Sequence, residues 1–168
     1  TITSPSAGAY ITNTTPTIEF QVKDTDSGVN AGTIAITVDG TAVSTVTKTA
    51  IDGGYKCTCT SPTLKDGSHT ISVKASDNDG NAAAAKTATF TVDTVPPTLQ
   101  ITAPSNDLIT NKKTVTVSGK TDDVSSKPVT VTVNGATVTV GTDGTFTKDV
   151  TLAEGANTIT IVAKDKAG

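Results

Sequence analysis

The chain carries one plan twice. ITSPSAGAYITNTTPTIEFQV, starting at Ile2, returns as ITAPSNDLITNKKTVTVSG, starting at Ile101. Pro5 answers Pro104, Ile11-Thr12-Asn13 answers Ile109-Thr110-Asn111, and the alternation Ile18, Phe20, Val22 answers Val115 and Val117. Further along, ITVDG (36–40) matches VTVNG (131–135), and Asp52-Gly53 with Tyr55 matches Asp143-Gly144 with Phe146. LKDGSHTISVKASDNDG (64–80) then lines up without a gap on LAEGANTITIVAKDKAG (152–168). A duplication on this scale requires two small units built alike rather than one large core. Between the copies lies TVDTVPPTLQIT (91–102), whose adjacent prolines cannot donate to a sheet ladder and keep the chain stiff and extended. That predicts a short, semi-rigid hinge near Asp93 to Pro97, with domains at 1–95 and 96–168. Each unit has about 70–95 residues, enough for a small sandwich core.

Within each unit the apolar period is two. Ile18/Phe20/Val22, Ile34/Ile36/Val38, Ile71/Val73/Ala75 and Phe90/Val92 are predicted to face inward. The second unit repeats this with Val129/Val131/Val133, Val138/Val140 and Ile159/Ile161/Ala163. Asp39-Gly40, Asp52-Gly53, Asp66-Gly67, Asn134-Gly135, Asp143-Gly144 and Glu154-Gly155 punctuate these runs at hairpin spacing. The 37 Thr, 18 Val and 11 Ile against 4 Leu add side chains that stiffen at χ1 and pack well on a pleated surface. A helical bundle is excluded, and an all-β fold of two tandem antiparallel sandwiches is expected. With no arginine and a net charge of −3, the surface is unsuited to phosphate backbones, so no nucleic-acid partner is expected. No run of about 18 apolar residues occurs, so membrane insertion is not expected either.

Both units resemble the bacterial immunoglobulin-like repeats of bacterial cell-surface and secreted proteins. The pieces that carry the resemblance are DTDSGVNAGTIAITVDG, LKDGSHTISVKASDNDGN and FTVDTVPP in the first unit, and VTVNGATVTVGTDGTFTKDVTLAEGANTITIVAKDKAG in the second. The resemblance implies two immunoglobulin-like sandwiches joined by the proline-containing linker. It also implies an extracellular location, secreted or on the cell surface, and no catalytic residues. The expected function is a structural or adhesion module, a spacer or stalk whose partners are neighbouring repeats and a host, cell-wall or glycan ligand. The alternative is an accessory pair that binds carbohydrate or protein for a secreted enzyme. The second unit departs from the family pattern at its last strand. The first unit continues past Gly80 into a strand from about Lys86 to Asp93, whereas Gly168 aligns with Gly80. The strand Asn157 to Lys164 is therefore expected to present an open edge, which invites strand addition.

The candidate site residues are aspartates. Asp24 and Asp26 follow the second strand of the first unit, and Asp77 and Asp79 follow its sixth. In an immunoglobulin-like sandwich these strands end at one pole, where the four carboxylates would converge. The same reasoning gathers Asp122, Asp123 and Asp165 in the second unit, with Asp93 arriving from the linker. Several carboxylates with carbonyls suit a hard cation, which makes calcium the candidate cofactor. The competing reading is turn chemistry, because Asp stabilises loops by bonding its own backbone. Cys57 and Cys59 share one strand face with Tyr55, as two small buried apolar side chains or as a strained disulfide. His69, the sole histidine, is expected at an exposed strand edge, without the nucleophile and orienting group that catalysis needs. Tyr10 is the only aromatic left for a sugar platform once Tyr55 faces inward.

Overall fold

A computed structural model describes residues 1–168 and divides them into two compact units, Thr1–Thr94 and Val95–Gly168. The division falls one residue before the 95/96 boundary expected from the prolines.

Unit 1 is a two-sheet antiparallel sandwich. One sheet runs β1 (Ile2–Ser4), β3 (Thr17–Lys23), β7 (Gly54–Thr60), β6 (Thr47–Ile51). The other runs β2 (Tyr10–Ile11), β9 (Lys86–Val92), β8 (Gly67–Lys74), β4 (Ala35–Val38), β5 (Thr41–Ala42). Only β2, alongside β9, is parallel to its neighbour. The alternation places Ile18, Phe20, Cys57 and Cys59 of the first sheet against Ile36, Val38, Ile71, Val73, Phe90 and Val92 of the second. Val22 and Tyr55, opposite each other on β3 and β7, pack half-buried at the border of this core. At the β4–β5 hairpin Asp39 has φ 50° and Gly40 has φ 80°. That left-handed pair matches the twist of the flanking strands, which is why the sequence reads Asp-Gly there.

Unit 2 repeats the plan with fewer strands. Its sheets are β10 (Thr98–Ala103), β11 (Thr114–Asp122), β14 (Thr145–Thr151), and β13 (Ala136–Val138), β12 (Thr130–Val133), β15 (Ile161–Lys164). Val117, Val129, Val131, Val133, Val138 and Phe146 form the buried core. Gly119 is opposite Phe146, and a Cβ there would lie 2.6 Å from the ring, so only glycine lets the phenyl group fold over β11.

Val140, Ile159, Ile161 and Ala163 pack against this core as expected, partly buried, with β15 an edge strand that has a partner on one side alone. One expectation needs correction: the gapless match of 64–80 to 152–168 is off by two residues at the strand. Asp39 donates its N–H to the Thr70 carbonyl, as Asn134 does to that of Thr160. Likewise Ile71 faces Val38 as Ile161 faces Val133. Ile71 is therefore equivalent to Ile161, not Ile159. A slip of two leaves every side chain on its predicted face, which is why alternation alone did not expose it.

Candidate functional site

The loops after β3 and β8 of unit 1 do meet. Gly28 accepts the N–H of Asn78 at 2.9 Å, and the Asn78 side chain donates to the Ser27 carbonyl at 2.8 Å. Val29 bridges Asp77. The carboxylates, however, turn to their own loops. Asp24 accepts from the Gly28 N–H at 2.7 Å and the Ser27 hydroxyl at 3.3 Å. Asp77 accepts from the backbone and side-chain nitrogens of Asn81 at 2.7 and 2.8 Å, and that side-chain bond holds its carboxyl below the usual range. Asp26 and Asp79 are exposed. No three of these four bring oxygens within 4.8 Å of one another. The expected convergence at this pole is corrected: the loops converge, the charges do not.

In unit 2 the arrangement differs. Asp122 is exposed and pairs with Lys127 at 2.7 Å, the hydrogen bond and the charge of the lysine together lowering its pKa. Asp123 is 4% exposed, and one oxygen accepts from the N–H groups of Ser125 and Ser126 at 2.8 and 2.7 Å. Asp165 does the same for Ala167 and Gly168 at 2.8 and 2.7 Å. Lys166 donates its N–H to the carbonyl and hydroxyl of Ser126, which clamps the two loops together. As a result Asp123 and Asp165 bring carboxylate oxygens within 4.8 Å of each other, while Asp122 is tied to its lysine. Asp93 directly follows β9 of unit 1, 1% exposed, with its N–H donated to the Ile11 carbonyl.

His69 is the residue that sequence reasoning misplaced. It is 9% exposed rather than at an open edge, stacked at a tilt 5.7 Å from Phe90. Its Nδ1 lies 2.6 Å from Asp39 Oδ2 and its Nε2 lies 2.8 Å from the Lys65 carbonyl. Burial disfavours the imidazolium, but the bonds to Asp39 and to the carbonyl outweigh it and raise the pKa. Both ring nitrogens thus face a carboxylate and a carbonyl, and neither partner is a hydroxyl or thiol that the ring could activate as a base. The available signal was the Asp39-Gly40 turn, whose aspartate leans across from the neighbouring strand pair. Cys57 and Cys59 are free and buried, and burial pushes both thiols up, as suits two small apolar side chains.

The comparisons with known proteins follow the same division. The model of the bacterial Ig-like domain matches residues 3–94, and that of glucodextranase domain B matches residues 97–168. Bacillopeptidase F of Bacillus subtilis (strain 168) is 30% identical over 167 residues, 99% of this chain. The chain spans only 11% of that relative. Among solved structures, the fibronectin(III)-like modules of Clostridium thermocellum CbhA superpose with a TM-score of 0.58 at 20% identity. The superposition covers 99% of this chain and 86% of theirs. That likeness concerns the fold alone.

Proposed function

Because the chain belongs to the bacterial Ig-like domain family, we propose that it is a non-catalytic tandem module of a secreted bacterial protein, acting as a spacer. The observation that carries this reading is that the sole histidine and two of the unit 1 aspartates are engaged within the structure. His69 lies between Asp39 and the Lys65 carbonyl, and Asp24 and Asp77 close their own loops. Each unit also has its own core, as a load-bearing or distance-setting element needs. A second reading, an accessory pair beside an enzyme, is favoured by the names of the relatives, since both bacillopeptidase F and glucodextranase are named as enzymes.

Two measurements test the proposal. Stretching single molecules should give two separate unfolding events, unit 1 releasing about 3.3–3.6 Å of chain per residue. Titration of the isolated pair with peptidoglycan, polysaccharide and protein ligands should give no saturable binding. Saturable binding would replace the spacer with the accessory reading, and turnover of any peptide or glycan by the purified pair would overturn both.

A further inference from the structure

In unit 1, β7 is an inner strand, with β3 on one side of it and β6 on the other. Its equivalent in unit 2, β14, ends its sheet with β11 alone beside it. Two matching bonds set the equivalence, Asp24 N–H to the Gly53 carbonyl and Thr121 N–H to the Gly144 carbonyl. Cys57 thus corresponds to Lys148, and their partners Phe20 and Val117 correspond as well. The missing cover is a matter of loop length inside the chain. Residues 39–53 include β6, whereas residues 134–144 reach β14 only through the Val140–Phe146 bridge and the bond from Gly141 N–H to the Thr145 carbonyl. Bonded pairs alternate along an antiparallel ladder, so Phe146, Lys148 and Val150 bond to β11. Beyond the bridge, the backbone groups of Asp149 and Thr151 address the open edge.

The side chain at the middle of this edge sets the strand apart. Lys148 stands between Phe146 and Val150 on the core side of β14, opposite Val117, which is 0% exposed. Lys148 itself is exposed. An ammonium on that face stays hydrated only by leaning out past the edge. Unit 1 has the same arrangement displaced by one strand. There Cys57, at the position of Lys148, is 0% exposed, and β6 covers its strand. The edge is now β6, on which Lys48 faces Cys57 across the pair, on the core side and exposed. A lysine therefore occupies the core side of whichever strand ends the sheet, and a small apolar residue stands where the strand is covered.

We propose that Lys148, together with Asp149, keeps a second copy of the chain off the open edge of β14. An unpaired ladder is a template for another strand, and inward-pointing charges on an edge strand oppose such pairing. Two copies joined edge to edge about a two-fold axis place one residue directly against itself. Full overlap of Thr145–Thr151 centres on Lys148, at a non-bonded pair, where facing side chains are closest. Overlap limited to residues 147–151, beyond the bridge, centres on Asp149. Both registers set like charges directly opposite each other, which destabilises a strand pair.

The test compares the parent chain with two double variants, Lys148→Val with Asp149→Asn and Lys148→Thr with Asp149→Asn, by sedimentation velocity and amide exchange. Asparagine keeps an oxygen for the Thr116 hydroxyl, which donates to Asp149 at 2.6 Å. Valine and threonine both suit a strand. Lys148→Arg alone is the control. The parent and the control are expected to stay monomeric, while the double variants rise about twofold in mass as concentration increases. Exchange at the Thr151 amide should slow by about tenfold or more in the associated variants. Calorimetry of unit 2 checks that each variant is folded, and the threonine variant decides if the valine one is not. Folded double variants that keep the parent's mass would overturn the proposal. So would a parent chain that associates with Thr151 protected. Association of the variants with Thr151 exchange unchanged also counts against it, since the copies then meet elsewhere.

Discussion

The His69–Asp39 pair makes the stability of unit 1 depend on pH in a direction opposite to ordinary carboxylate loss. His69 titrates above 6.5 in the folded state, so its contribution is complete below that value and is lost as pH rises through the raised pKa. Asp39 titrates below 3.8, despite partial burial, through its bonds to His69 and Thr70. Its contribution is complete above 3.8 and is lost as pH falls through the lowered pKa. The pair therefore stabilises most between these values. A hydrogen bond to a charged group is worth roughly 1.5–3 kcal/mol when sheltered. Asp39 is 45% exposed at its side chain, which brings the figure towards the exposed-pair range. We take about 1 kcal/mol as the net effect. For a domain of this size that corresponds to a fall of about 4–8 °C in Tm between about pH 5.5 and pH 8.5.

The assay is specific to unit 1, because Tyr10 and Tyr55 are the only tyrosines and the chain has no tryptophan. Tyrosine fluorescence melts thus report this sandwich alone. Asp39→Asn is the clean perturbation. Asn134 occupies the same place in unit 2 at φ 48° and accepts the Thr160 N–H through Oδ1, so asparagine suits both the backbone and the bond Asp39 makes to Thr70. The variant should lose most of the pH dependence across this interval while remaining folded. An equally steep decline in the variant, or a wild-type Tm that rises over the interval, refutes the reasoning.

Gly119→Ala would place a Cβ 2.5 Å from the Gln100 carbonyl and 2.6 Å from Phe146, an overpacking expected to cost about 1–3 kcal/mol in unit 2. Calorimetry should show that transition fall while the tyrosine melt stays put, and an unmoved transition contradicts the packing. Cys57 and Cys59 should react with Ellman's reagent at least about tenfold more slowly in native protein than in denaturant, since labelling waits on opening of the sandwich. Fast titration of both native thiols would contradict their burial. Melts of unit 1 in EDTA and in millimolar calcium should superimpose, because Asp24, Asp26, Asp77 and Asp79 do not gather around one point. A calcium-dependent rise in the tyrosine signal counts against that geometry.

What the sequence determined by itself is what depends on local periodicity. The duplicated segments, the period-two alternation and the Asp-Gly and Asn-Gly turns specified two sandwiches and nearly all of their inward faces, since a side chain on a strand has only two directions to point. Asp39 and Asn134 mark hairpins because those backbone angles are intrinsic to the turn. Tertiary structure alone decided the rest. Which residues stand opposite each other across β12 and β15 is a matter of register, and a slip of two keeps the pattern intact while moving each partner. Whether an aspartate faces an ion, a lysine or its own loop depends on groups far along the chain. Asp122 meets Lys127, Asp123 meets Asp165 across a clamp made by Lys166 and Ser126, and Asp77 turns back on Asn81. His69 became a buried, doubly bonded ring because Asp39 and Lys65 approach it from separate turns. Charges and hydrogen bonds act over a few ångströms in space, and only the packed sandwich sets which residues are that close.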